Sequence, residues 1–407
     1  VPRIARIGGA GGAVIWEDDM IKTNTLGAVA LLMLSAAPAL AFEDGKLLIW
    51  TGDNRAPDAL REVGKRFEEE FGVPVEVAIV EPLPEKFQQA AATGDGPDIV
   101  MHAHDRLGEW ATGGIIAPVT PGTGFADGIL PAAMEAVSFD GATWGYPVAV
   151  EAAHLIYNKE FVETPPTDFS DIAGMDLPEG VTPILWDYNN TYFTFPLLAA
   201  KGGFAFQKVD GSYDGSTSGV NTEGAVEGGE VLASLIKDGV MPSGVDYGVM
   251  EGAMNNGEVA MVINGPWAWS NLDSSGIDFG VAPLPQVDGE LAPPFLGVQA
   301  LAFNAASPNL DLAQEFIESY LLTDEGLATW NESGALGALA DSSAAEAQDD
   351  ARVSAMLEVA KDGVPMPSNP EMGAFWAAMQ PALTSITNGA QEPKAALDDA
   401  AARIKGE

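Results

Sequence analysis

The chain has 407 residues, room for two or three domains, and it carries 59 acidic against 19 basic side chains, a net charge of −40, with no cysteine. Such a surface repels nucleic acid and anionic lipid and disfavours anionic substrates, while a neutral sugar is indifferent to it. The lack of cysteine excludes disulfides, thiolate metal sites and cysteine nucleophiles.

Residues 1–19 resemble neither a signal nor a folded element, and translation is expected to start at Met20. Met20-Ile21-Lys22 opens a weakly positive segment, residues 26–37 are an apolar run, and Ala39-Leu40-Ala41 supplies a small-x-small cleavage pattern. Residues 20–41 therefore read as a signal peptide removed before Phe42. The run of about a dozen residues ends at Pro38, too short to span a bilayer. With Phe42 rather than a cysteine after the cut, the expected product is an unanchored protein of a bacterial periplasm. The removed segment holds three basic and three acidic residues, so the mature chain keeps the whole imbalance.

Alternating signals follow. A strand is expected over 46–50, then a helix over 58–71 with Leu60, Val63 and Phe67 at helical spacing, closed by Gly72 and Pro74. A strand over 75–80, a helix over 85–92 and a strand over 98–101 complete a β-α-β-α-β order, which implies a mostly parallel sheet flanked by helices. Asp53, Asn54 and Arg55 follow the first strand, and His102, Ala103, His104, Asp105 and Arg106 follow the third. Both groups fall on the carboxyl edge of the sheet, where open α/β folds hold ligands.

A second lobe is expected to begin near 148–155. It carries an aromatic-rich passage (Trp186, Tyr188, Tyr192, Phe193, Phe195), a helix over 223–237 closed by Gly239, and a buried strand over 259–263 running into Asn264-Gly265-Pro266-Trp267. A strand over 297–303, an amphipathic helix over 310–322 and a mostly helical tail from about 350 follow. Residues 342–350 look least structured.

The candidate chemistry narrows by elimination. His102 and His104 invite a zinc reading, but His154 is the only other histidine and no His-Glu-x-x-His motif exists. Phosphate loops, dinucleotide fingerprints and Gly-x-Ser-x-Gly elbows are absent, so no cofactor is implied. Asp53, Asp105 and Glu151 sit at plausible loop positions, and a glycosidase pair is not excluded by counting carboxylates. Trp267 and Trp376 lie at element boundaries, where aromatic faces could stack on sugar rings while carboxylates and guanidinium groups fork onto hydroxyls.

Several passages carry a family likeness across nearly the whole mature chain. They include Glu62-Val63-Gly64-Lys65-Arg66-Phe67-Glu68, Ala91-Ala92-Thr93-Gly94-Asp95-Gly96-Pro97-Asp98-Ile99, Ala103-His104-Asp105-Arg106 and Tyr146-Pro147-Val148-Ala149-Val150-Glu151. Leu155-Ile156-Tyr157-Asn158-Lys159, Tyr192-Phe193-Thr194, Ile263-Asn264-Gly265-Pro266-Trp267-Ala268-Trp269-Ser270-Asn271, Leu321-Leu322-Thr323-Asp324-Glu325-Gly326-Leu327 and Ala374-Phe375-Trp376 extend it. The chain resembles the periplasmic maltose/maltodextrin-binding proteins of ABC sugar importers.

The resemblance implies a type II periplasmic binding protein fold, two α/β lobes closing over sugar in the cleft between them. Residues 42–149 and 297–347 would form one lobe, and 150–296 with 348–407 the other. It implies delivery of maltose, maltodextrin or a related oligosaccharide to an inner-membrane ABC permease with a cytoplasmic ATPase, a monomeric state, and a chemoreceptor as a further partner that the sequence leaves open.

Carried over by position, Asp105, Arg106 and Glu151 match residues that hydrogen-bond glucose hydroxyls, and Tyr192, Trp267 and Trp376 match stacking aromatics. Ala103 and Phe193 adjoin them in the matching passages. Arg55 matches a family lysine, and the family aspartate beside it falls on Asn54 or Asp53. Four positions depart: His102 stands for a tryptophan, Asn190 for a glutamate, and Ala377 and Gln380 for a tyrosine and an arginine. These departures leave trehalose, sucrose or another disaccharide open as the ligand.

Overall fold

The computed structural model describes residues 43–209, 212–332 and 334–407. The expected signal peptide, the upstream segment and the cleavage position at Phe42 lie outside them.

The first strand, β1 (Leu47–Thr51), is buried along its whole length and leads into α1 (Pro57–Phe71). Proline fits the first helical turn because that N–H has no partner to lose. Gly72 ends the helix in the left-handed region at φ 70°, donating its N–H to Glu68 O at 2.8 Å. Leu60, Val63, Gly64 and Phe67 face inward. A Cβ on Gly64 would lie 2.9 Å from Val75, so only glycine lets α1 settle onto β2 (Val75–Ile79). Then come α2 (Leu83–Ala91) and β3 (Ile99–Ala103).

Two sheets result. The chain leaves the first along β4 (Tyr146–Ala152) and enters the second one residue later as β5 (His154–Asn158). It adds β6 (Thr182–Leu185), α3 (Thr191–Ala199), α4 (Glu223–Lys237), β7 (Val259–Asn264) and β8 (Phe279–Ala282). It returns to the first sheet as the ten-residue β9 (Phe295–Asn304) and the short β10 (Ala338–Leu339), and ends in helices that include α5 (Met372–Thr387) and α6 (Pro393–Ile404). The strand orders are β10-β4-β9-β3-β1-β2 and β8-β5-β7-β6. Each sheet with its helices makes one lobe, and the fold is the two-lobed periplasmic binding architecture.

The sheets are mixed rather than mostly parallel. β1 runs parallel to β2 and β3, and β6 to β7. β9 is antiparallel to both β3 and β4, and β5 to both β7 and β8. The reason is the crossing: β9 and β5 arrive from the other lobe, not through a crossover helix on the same sheet, so nothing forces a parallel partner. Two local expectations also change. The helix expected over 310–322 is α-helical only over Leu310–Phe316 and continues as a π turn, Ile317–Leu321. Within 342–350 there is a short helix, Ser342–Ala347, whose first turn donates to the Asp341 carboxylate. Gln348 then binds Leu339 N and Gly337 O.

The second lobe's core is the more aromatic. Phe195 and Phe295 stack with centroids 4.3 Å apart and planes at 4°, and Phe375 meets Phe195 edge-on at 5.7 Å. Phe295 opens β9, so this stack ties the returning strand to α3 and α5 beside the cleft. Among the described residues no helix is long and apolar enough to cross a membrane.

Candidate binding cleft

The parallel run β1, β2, β3 points three carboxyl ends at one place. After β1 the chain turns through Ala56, whose φ of 48° is left-handed, and Trp330 Nε1 holds Arg55 O at 2.9 Å. After β2 comes Glu81. After β3 the residues His104–Arg106 form a 3-10 turn, setting Asp105 and Arg106 beyond the strand. In the second lobe the ends of β6 and β7 do the same. Asn190 caps α3 by accepting from Tyr192 N at 3.1 Å, which aims Tyr192 and Phe193. A 3-10 turn after β7, Pro266–Ala268, carries Trp267.

These strand ends enclose a cleft of about 460 Å³, within the range of small-molecule sites. Its walls differ in kind. Arg55, Glu81, Asp105 and Arg106 come from the first lobe, joined by Glu151, which lies on β4 of the first sheet and not in the second lobe as the expected bounds had it. Tyr192, Phe193, Tyr247, Trp267 and Trp376 come from the second. The charged side chains all stand on one wall, the polar wall, and the large aromatic rings on the other, where Asn190 adds an amide.

The polar wall is internally paired. Arg55 donates from Nη1 to Glu151 Oε2 at 2.7 Å and from Nη2 to Oε1 at 3.2 Å, and Gln299 Nε2 donates to the same Oε1 at 2.8 Å. Both side chains of the ion pair are largely buried, at 13 % and 5 % exposure. Arg106 lies 3.8 Å from Asp105 and donates to Glu109 at 3.0 Å. With two guanidinium groups against three carboxylates, the lining is nearly neutral although the chain is strongly acidic. It has no surplus cation to capture an anion.

The aromatic wall depends on one glycine. A Cβ on Gly265 would fall 2.2 Å from the Trp267 ring, so the indole folds back over bare backbone. The walls meet at two points: the Arg55 guanidinium sits 5.3 Å from the Trp267 ring centre, and Trp376 Nε1 donates to Asp105 Oδ2 at 2.8 Å. Burial pushes the Tyr192 hydroxyl well above its usual range and Tyr247 up to about 12, so both stay protonated hydrogen-bonding groups at neutral pH. His102 lines the cleft half-buried, and burial lowers it to about 4, leaving a neutral ring.

Twelve of the fourteen residues singled out from the sequence line this cleft: Asn54, Arg55, His102, Ala103, Asp105, Arg106, Glu151, Asn190, Tyr192, Phe193, Trp267 and Trp376. Asp53 does not; it is exposed beside Asn54, so of the two alternatives the cleft takes Asn54. Gln380 is exposed on α5, outside the lining. Trp186, Tyr188 and Phe195 from the aromatic passage are core residues. Sequence reasoning missed Glu81, Tyr247, Gln299 and Met366. Glu81 carries the same signal as Asn54, a polar residue just beyond a parallel strand. Gln299 interrupts the apolar run Gly297-Val298-Gln299-Ala300-Leu301, and a polar side chain there has to find a buried partner. Tyr247 and Met366 carry no local signal.

A family profile for bacterial extracellular solute-binding proteins matches residues 62–355. Among curated relatives, the galactooligosaccharide-binding protein of Bacillus subtilis (strain 168) is 28 % identical over 391 residues, covering 92 % of each chain. The maltotriose-binding protein of Pyrococcus abyssi is 29 % identical over 361 residues, 84 % of this chain and 77 % of its own length. A maltooligosaccharide ABC transporter solute-binding lipoprotein of Streptococcus pneumoniae (strain ATCC BAA-255 / R6) is 27 % identical over 369 residues, 85 % of each.

Proposed function

Because the chain belongs to the bacterial extracellular solute-binding proteins, we propose that it captures a neutral oligosaccharide, maltose or a maltodextrin first, and hands it to an ABC importer without chemical change. The observation that carries this reading is the division of the cleft into a paired polar wall and an aromatic wall. Pyranose rings need both: apolar C–H faces to stack, and forked hydrogen-bonding groups around the equatorial hydroxyls. Trp267 and Trp376 supply the faces, and Asp105, Arg106 and Glu151 the orientation. The near-neutral lining suits an uncharged ligand.

Because the walls belong to different lobes, a sugar lying between them gains contacts that depend on the distance between the lobes. Ligand therefore shifts the population toward the closed form by its differential affinity for the two. The closed complex is the species an inner-membrane permease with its cytoplasmic ATPase would read, which places the protein outside the cytoplasm.

A second reading keeps the role and changes the sugar to a galactooligosaccharide. It is favoured by the relative that covers 92 % of the chain, and by His102 and Asn190, cleft residues at which the chain departs from the maltodextrin pattern.

Thermal-shift measurements with maltose, maltotriose, trehalose, sucrose, cellobiose and β-1,4-galactobiose test both. A ligand at about 100 times its Kd stabilises by about 2.7 kcal/mol, which is easily resolved. A shift confined to α-glucosides supports the first reading, a shift confined to galactobiose the second, and no shift with any sugar overturns both. Release of glucose from maltotriose on prolonged incubation would overturn the non-enzymatic role.

A further inference from the structure

The function proposed above draws on His102 but not on its neighbour His104, which lies beneath the cleft at 1 % exposure. Its ring is held from two sides. Val298 donates its N–H to Nδ1 at 3.0 Å, and Nε2 is 2.9 Å from Met366 O. A backbone N–H only donates and a carbonyl only accepts, so Nδ1 is bare and Nε2 carries the proton. The imidazole is a neutral bridge from β9 to the segment that precedes α5.

The bridge takes over where the sheet stops. The β3–β9 ladder runs from Ile99–Phe303 to Ala103–Gln299. At the next position the chain leaves β3, and the His104 ring satisfies the buried Val298 N–H. The two segments then pack closely. A Cβ on Gly108 would lie 1.8 Å from Ser368 O, and one on Gly373 2.7 Å from Glu109 Oε2. Asp105 follows His104 directly, and Trp376 lies ten residues beyond Met366, in the first turns of α5.

We propose that His104 is a positioning residue of the cleft: by joining Val298 to Met366 it sets the turn bearing Asp105 and Arg106 against the segment bearing Met366 and Trp376, so that the polar and aromatic walls are registered before ligand arrives. The inference rests on the reading of this cleft as the ligand site. The device is preorganisation: side chains locked by a supporting hydrogen bond lose less freedom on binding.

Two substitutions separate the hydrogen bonds from the bulk. In His104→Gln the amide offers an acceptor and a donor at nearly the spacing of the two ring nitrogens, while His104→Leu fills similar space and offers neither. The expected result is that H104L weakens binding of the sugar found by thermal shift at least tenfold, and that H104Q stays within about threefold of the wild type. In ligand-free protein, the ¹⁵N-indole resonance of Trp376, assigned by its loss in Trp376→Phe, shifts or broadens in H104L and keeps its place in H104Q. Equal behaviour of H104L and wild type, or equal loss in both variants, overturns the inference.

If the wild type binds no sugar, the functional reading falls while the indole resonance still decides the role of His104. If H104L does not fold, ring ¹⁵N shifts of wild-type His104 decide it. The Nε2-protonated tautomer is expected, and the Nδ1-protonated form or an imidazolium at pH 7 contradicts it.

Discussion

Arg55 and Glu151, 96 positions apart, meet in a forked ion pair of 2.7 and 3.2 Å at the floor of the cleft. Arg55 lies in the turn after β1 and Glu151 stands on β4, strands separated in the sheet by β3 and β9, so the pair spans the polar wall. Gln299 occupies a further lone pair of the same carboxylate. Glu151 is thereby fixed as a hydrogen-bond acceptor that a sugar hydroxyl can join.

Removing the cation should be costly. Arg55→Met leaves a buried carboxylate with Gln299 as its remaining partner, and a broken buried pair of this kind costs about 3 kcal/mol. Urea denaturation should show that loss as a lower midpoint. Arg55→Lys keeps the charge without the fork, and an intermediate midpoint is expected. A midpoint for R55M equal to the wild type's would show that the pair is not formed in solution.

Trp376 and Gln380 are a turn apart on α5 and should behave differently. Trp376→Ala removes a stacking face and the donor to Asp105, and should weaken sugar binding at least tenfold, about 1.4 kcal/mol or more, with the fold retained by circular dichroism. Gln380→Ala, at an exposed position outside the cleft, should bind within twofold of the wild type. Calorimetry on the two variants checks both.

Gly265→Ala tests the aromatic wall without touching an aromatic residue. Its backbone is extended, at φ −137°, so the penalty comes from the clash of the new methyl with the Trp267 ring at 2.2 Å. Overpacking of this sort costs about 1–3 kcal/mol. The expected outcome is a lower thermal midpoint together with weaker sugar binding. Weaker stability with unchanged affinity would mean that Trp267 does not contact the ligand.

His154 makes stability depend on pH. It is fully buried at the crossing from β4 to β5, with Nδ1 2.8 Å from Ala152 O and Nε2 accepting from Trp269 Nε1 at 3.3 Å. Burial lowers it from 6.5 to about 4. Above pH 6.5 both folded and unfolded forms are neutral and stability is fully present. As pH falls from 6.5 toward 4 the unfolded chain takes a proton that the folded one refuses, at about 1.4 kcal/mol per pH unit. Lower pH also relieves repulsion among the excess carboxylates, so the contrast to measure is with His154→Gln. Urea unfolding between pH 7 and 5 should fall more steeply for the wild type, by about one proton. Parallel curves would contradict the buried neutral ring.

Much of this was legible in the sequence, for reasons particular to each element. The helix over 223–237 matches its expected bounds because Thr222 caps it and Gly239, at φ 75°, ends the turn beyond it. The polar residues after β1 and β3 were found because parallel strands put their ends on one edge. Strand direction in the mixed sheets was not legible, since β5 and β9 take their orientation from chain crossings that no local pattern marks. Nor was His104: the sequence set it among the polar residues after β3 without a role once a zinc site was set aside, and only the fold brings Val298 and Met366, 194 and 262 positions away, to its two nitrogens. Asp53 and Asn54 are adjacent and equally polar, and the turn alone decides which one faces the cleft.

A neutral oligosaccharide is expected to bind between the polar wall and the aromatic one and to leave unchanged. Titration calorimetry of the purified protein with maltotriose, with the sugar recovered and analysed afterwards, tests it most directly. One site with a Kd near micromolar, about −8 kcal/mol, and maltotriose recovered intact are the expected results. No heat with maltotriose or with any sugar of the thermal-shift panel, or recovery of glucose from the cell, would contradict them.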